Sequence, residues 1–140
     1  MIYLDSSALL TLLLPEAQTS ALTSFVDPYG PEGRASSALA LVEVARAVRT
    51  AAVLGRVPEG ELSGTLARAD VLVRSMELLP VDPRVLRDAA RIPSPHLRSL
   101  DAVHVASAAR YRDELQSLVT YDDRMLAAAA AEGLPTASPA

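Results

Sequence analysis

The chain has 140 residues, half of them hydrophobic and 21% charged, enough for one domain with a real core and too apolar for a disordered chain. It holds no cysteine, which excludes disulfides, thiol nucleophiles and Cys-ligated zinc, and no lysine, which excludes a Schiff base or a phosphate-loop lysine. A net charge of −4 argues mildly against non-specific nucleic-acid binding, although a cluster of carboxylates neutralised by divalent cations would account for that sign. Apolar runs alternate with helical periodicity along the chain. This pattern predicts an α/β fold, a central mostly parallel β-sheet flanked by helices, formed by residues 1–140 as one domain.

The first strand is expected at residues 2–4 and a helix at 7–14. A second helix is expected from Pro15-Glu16 to about Val26, then a turn-rich loop over residues 28–33. A short strand at 34–36 leads into a long helix over 38–54, bounded by Gly55 and Pro58. Another helix covers 59–74, and residues 76–81 read as the third strand. Asp82-Pro83 is an N-cap followed by proline at the first helical position, and opens a helix that runs to Ile92. Pro93-Ser94-Pro95 breaks it. A helix over 99–112, a strand over 118–121 and a helix over 123–132 stopped by Gly133 complete the pattern. The tail 134–139 fits either a short edge strand or a loose end.

No basic segment precedes an apolar one at the start, and the longest strongly apolar stretch, residues 8–14, is far below the roughly 20 residues of a membrane span. A soluble cytoplasmic protein without a membrane partner is expected.

Four acids stand in contexts that disfavour them. Asp5 closes the opening strand, Glu43 interrupts Leu41-Val42-Glu43-Val44-Ala45, Asp101 lies in Leu100-Asp101-Ala102-Val103, and Asp122 ends the run Ser117 to Tyr121. An ionised carboxylate in apolar surroundings costs several kcal/mol unless it is paired or binds a metal. Carboxylates with nearby hydroxyls suit oxygen-seeking Mg²⁺ or Mn²⁺, so the set reads as a metal-dependent phosphodiesterase. In open parallel sheets, ligands bind beyond the carboxyl ends of the strands, where Asp5 and Asp122 are expected, while Glu43 and Asp101 sit early in helices. Each acid also has a structural reading. Asp5 and Asp122 are good helix caps, Glu43 has Arg46 and Arg49 within two turns, and Asp101 has Arg98 nearby. His104, one turn after Asp101, reads first as a hydrogen-bonded core residue.

Taken together, Tyr3-Leu4-Asp5-Ser6-Ser7-Ala8-Leu9, Leu41-Val42-Glu43-Val44-Ala45-Arg46, Leu100-Asp101-Ala102-Val103-His104-Val105-Ala106 and Val119-Thr120-Tyr121-Asp122 resemble the PIN-domain ribonucleases, in particular the VapC toxins of bacterial toxin–antitoxin pairs. The resemblance runs from Met1 to about Gly133. It implies a Mg²⁺-dependent endoribonuclease (Mn²⁺ substituting) that cuts structured translation RNA such as transfer RNA or a ribosomal RNA loop. It further implies Asp5, Glu43, Asp101 and Asp122 as metal-binding catalytic acids, Ser7 and Thr120 as hydroxyl helpers, and Asp123 as an alternative to Asp122. The partners implied are the RNA substrate, a cognate VapB-type antitoxin and a second copy of the chain. Two rivals stand beside it: a non-catalytic PIN-fold scaffold, and an RNA-processing PIN nuclease outside any toxin–antitoxin pair. A receiver-like phosphoacceptor domain would need a lysine, and there is none.

Overall fold

In a computed structural model that describes all 140 residues, five parallel strands form one sheet. They are β1 (Ile2–Leu4), β2 (Arg34–Ser37), β3 (Glu77–Leu79), β4 (Ser117–Val119) and β5 (Thr136–Ala137), in the order β3-β2-β1-β4-β5. The helices are α1 (Ser6–Leu13), α2 (Thr19–Val26), α3 (Ala40–Val53), α4 (Leu62–Arg74), α5 (Pro83–Ala89), α6 (Ser99–Ala109) and α7 (Asp123–Ala131). None is long and apolar enough to cross a membrane.

Strand side chains alternate between faces, and that alternation splits the core in two. Ile2, Leu4 and Val119 pack with Leu9, Leu22, Val44 and Val73 from α1 to α4. Tyr3 and Leu118 point the other way, onto Val105, Ala108, Met125 and Ala129 of α6 and α7. A smaller cluster, Val85, Ala89, Val103 and Ala106, joins α5 to α6. The result is the expected parallel sheet between two helical layers. Its strand order reverses between β1 and β4: the chain builds outward from β1 to β3, then returns to the other side of β1. That switch point is where such sheets bind ligands.

Differences from the expected boundaries have local causes. Strand β4 stops at Val119 rather than Tyr121, because the Tyr121 N–H donates to Ser7 Oγ (2.9 Å) instead of a neighbouring strand. Helix α2 starts at Thr19, not at Pro15-Glu16; the Thr19 hydroxyl takes the Glu16 N–H (2.8 Å) and donates to Thr11 O (2.8 Å), which pins the link as a turn before the helix. Helices α5 and α6 end three residues early, at Ala89 and Ala109. Beyond them the chain unwinds through i to i+3 bonds, Ile92 N–H to Ala89 O and Arg112 N–H to Ala109 O. Gly133, at φ 71°, ends α7 as expected, and the tail adds the short edge strand β5.

Candidate active site

All four acids lie at helix N-termini, where the helix dipole favours negative charge. Asp5 caps α1 directly after β1, and Asp122 caps α7 after β4. Glu43 and Asp101 occupy the first turns of α3 and α6. The capping readings at Asp5 and Asp122 are therefore part of the geometry. The ion pairs considered for Glu43 are not: its partners are Ser6 and His104, not Arg46 or Arg49.

Asp5 is 3% exposed, at the switch point itself. Its Oδ1 accepts from the Ala8 N–H (2.9 Å) and Ser7 Oγ (2.7 Å), and its Oδ2 from Thr120 Oγ1 (2.7 Å). These hydroxyls accept in turn from backbone, Ser7 from Tyr121 N–H and Thr120 from Asp122 N–H (3.1 Å). The chain leaving β4 is thus tied to the acid that ends β1. Burial nevertheless pushes the Asp5 carboxyl up, against the hydrogen bonds from Ala8, Thr120 and Ser7. Desolvation wins because every donor is neutral.

Glu43 reaches the same edge from α3. Ser6 Oγ and His104 Nε2 (2.7 Å) both bond its Oε2. Burial alone would raise this carboxyl, but the hydrogen bond and charge of His104, with Ser6, hold it below its ordinary value. His104 is the buried, hydrogen-bonded residue expected, and its Nδ1 meets Tyr3 Oη at 2.7 Å. The sequence passed over Ser6 and Tyr3 as site residues. Of the two serines after Asp5, Ser7 serves Asp5 and Ser6 serves Glu43, a division only the helix phase reveals.

Asp101 and Asp122 form the other side. Burial, then the charge of Asp122, push the Asp101 carboxyl up, only partly offset by Arg98 and Arg124. Its Oδ2 is shut off from solvent with no hydrogen-bond partner. Asp122 is gripped by Arg124, Nη2 to Oδ2 at 2.7 Å and Nε to Oδ1 at 3.2 Å, which with the α7 N–H groups holds its carboxyl down to about 2. Asp123 is exposed at the first turn of α7. Arg124 was also passed over; it stands two residues after Asp122, but nothing in a helical pattern marks it as the partner of that cap.

These donors are hard oxygens, and the orphaned Asp101 Oδ2 with the raised carboxyls of Asp5 and Asp101 is what a divalent cation would relieve. In chemistry the residues fit Mg²⁺ or Mn²⁺. In position they are not drawn together: no three acidic or histidine side chains stand as a ready-made cation group. Asp5, Glu43 and Asp122 are turned instead to their own protein partners, Asp122 to Arg124 most firmly.

The PIN domain family matches residues 2–131. Ribonuclease VapC47 of Mycobacterium tuberculosis (strain CDC 1551 / Oshkosh) is 38% identical over 141 residues, spanning 99% of this chain and 97% of its own length. Ribonuclease VapC46 of Mycobacterium tuberculosis (strain ATCC 25618 / H37Rv) is 39% identical over 138 residues, with the same coverage of each. Among solved structures, FitAcB from Neisseria gonorrhoeae aligns with a TM-score of 0.75 at 20% identity, covering 99% of this chain and 98% of that one. PAE2754 from Pyrobaculum aerophilum aligns with a TM-score of 0.60 at 24% identity, covering 97% and 90%. At those identities the structural likeness is one of fold. With the family matched over nearly its whole length and VapC ribonucleases as near full-length relatives, this chain belongs to the PIN-domain family.

Proposed function

We propose that this chain is a Mg²⁺-dependent endoribonuclease, with Mn²⁺ as a substitute, acting as one nuclease domain and as the cytoplasmic toxin of a toxin–antitoxin pair. Its substrates are structured translation RNAs, transfer RNA or a ribosomal RNA loop. The relatives named ribonuclease VapC support the reaction class. One observation carries the site assignment: Asp5, Glu43 and Asp101 stand at or beside the switch point with no arginine paired to any of them, and Asp101 has a buried oxygen unused.

A divalent cation bound there supplies a charge that polarises the scissile phosphate and makes water more acidic. The protein groups do the rest. Asp5, locked by Ser7 and Thr120, presents its carboxylate in one orientation. Glu43, Asp101 and Asp122 would contribute further oxygens, Asp122 in competition with its bond to Arg124. The Arg124 guanidinium, beside both Asp101 and Asp122, would be a donor for a phosphate oxygen. No protein nucleophile is required, which suits a chain without cysteine. Hydrolysis of this kind leaves 5′-phosphate and 3′-hydroxyl ends.

An antitoxin partner is supported by a groove of about 430 Å³ lined by Leu10 of α1, Ala47 of α3 and the C-cap residues of those helices, Leu14 and Leu54, and opening beside Ser7 and Tyr121. An apolar helix face laid in such a groove is a common mode of peptide capture. A homodimer is expected as well, and light scattering at working concentration checks it.

Incubation of purified protein with total RNA, with Mg²⁺, with Mn²⁺ and with a chelator, tests the reaction. Metal-dependent cutting is expected; activity that survives the chelator unchanged rejects the metal assignment, and no cutting at all favours the scaffold reading. Expression alone should arrest growth of the host, with relief by a small cognate antitoxin. Harmless expression of active enzyme would return the chain to RNA processing.

A further inference from the structure

His104 is 1% exposed, yet it is not merely accommodated. Both ring nitrogens are engaged, Nδ1 by Tyr3 Oη and Nε2 by Glu43 Oε2, each at 2.7 Å. Tyr3 meets the imidazole edge-on as well, at a centroid distance of 5.8 Å and an interplanar angle of 76°. Tyr3 belongs to the core under α6 and α7, whereas α3, which carries Glu43, packs in the opposite layer. The pair therefore crosses from one side of the sheet to the other, just beyond the carboxyl end of β1.

The donors can be assigned. A carboxylate only accepts, so the Nε2 atom carries the proton that goes to Glu43. Nδ1 accepts from the Tyr3 hydroxyl while the ring is neutral and donates to Tyr3 Oη when it is charged. Ser6 donates to the same Oε2, so both donors converge on one oxygen and Oε1 carries no hydrogen bond from the protein. Glu43 is a long, half-buried side chain, and these two donors are what select one orientation for it.

The geometry points to His104, oriented by Tyr3, as a positioning residue that holds Glu43 by Oε2 and presents Oε1 to the cation. This rests on the proposed function, in which Glu43 is a cation-binding acid. An imidazole between a hydroxyl and an oxygen ligand acts as the outer partners of metal ligands do, and loss of such a partner costs about 10–100-fold in metal affinity.

Calorimetric titration of the intact protein with Mn²⁺, without RNA, tests it. His104→Leu should weaken Mn²⁺ binding about tenfold. His104→Gln, which keeps an N–H donor near the Nε2 position, should recover most of that loss, and Tyr3→Phe should fall between. In a Glu43→Gln background, His104→Leu should add no further loss, because the two residues act as a unit. Unchanged Mn²⁺ affinity in a folded His104→Leu protein overturns the role, and so does a full effect in the Glu43→Gln background. If His104→Leu does not fold, ring ¹⁵N NMR of the wild type decides: the proton on Nε2 supports the strut and a proton on Nδ1 alone overturns it. A wild type that binds no Mn²⁺ rejects the cation site itself, which separates that failure from failure of the strut.

Discussion

The two sides of the candidate site handle negative charge in opposite ways. Around Asp5 and Glu43 every partner is an uncharged hydroxyl, a backbone N–H or the imidazole of His104, and Asp5 is almost sealed from water. Around Asp122 the partner is a half-exposed arginine, whose full charge cancels that of the carboxylate. Hydroxyl, N–H and imidazole donors orient a carboxylate, whereas the full charge of an arginine would compete with a cation for it. One side is a preset cradle and the other is a latch. Asp101 belongs to neither, with a raised carboxyl and one oxygen unused.

The largest expected effect comes from removing charge without removing shape. Asp5→Asn and Asp101→Asn should each lower RNA cleavage by at least about 100-fold, since a direct ligand matters more than the outer partners whose loss costs about 10–100-fold. The cradle adds a second signature. Because folding raises the Asp5 carboxyl, the unfolded chain ionises first, so this group's contribution to stability falls as pH rises from the ordinary carboxyl range through the raised value. Without metal, Asp5→Asn should therefore melt no lower than wild type at pH 7, with any advantage shrinking towards pH 3. Full activity in either variant would take that residue out of the site.

A middle-sized effect probes the hydroxyl braces. Thr120→Val keeps the shape but strips one donor from Asp5 Oδ2 and one acceptor from the Asp122 N–H. Leaving buried polar groups unpaired costs about 1–3 kcal/mol each. Ser7 Oγ still reaches Asp5 Oδ2 (2.9 Å), so a stability loss towards the lower end of that range, with a loss of cleavage, is expected. No loss of stability would mean that water replaces the hydroxyl and that the cradle is wetter than its 3% exposure indicates.

What the sequence carried was local. Helix caps, proline breaks and glycine stops are written within a few residues of where they act, so Asp82-Pro83 and Gly133 could be read directly, and the parallel sheet followed from alternation. The partners of the acids are distant instead: Ser6 and Glu43 are 37 positions apart, and Tyr3 and His104 are 101 apart. No spacing rule announces such pairs, because they exist only once β1, α3 and α6 meet at one edge. Arg124 is different. It was close in sequence, but a helical pattern gives no sign that an arginine at the second position folds back onto its own cap.

The smallest expected effect is the most informative about the latch. Asp122 is held down to about 2 by Arg124 first and by the α7 N–H groups after it. A depressed carboxyl contributes stability that is present above its ordinary value of 3.8 and is lost as pH falls towards about 2. The arginine side chain is 39% exposed and the carboxylate 25%, so solvent screening leaves about 1 kcal/mol or less for the pair. Arg124→Ala should cost about that much at pH 7, less in 1 M salt, and progressively less as pH falls through about 2, where the carboxylate takes up its proton. The same variant should bind Mn²⁺ more tightly than wild type, since the carboxylate no longer has to be taken from a guanidinium. Weaker Mn²⁺ binding in a folded Arg124→Ala protein would break the comparison: Arg124 would then be a brace that sets Asp122 for the cation, and both sides of the site would be cradles.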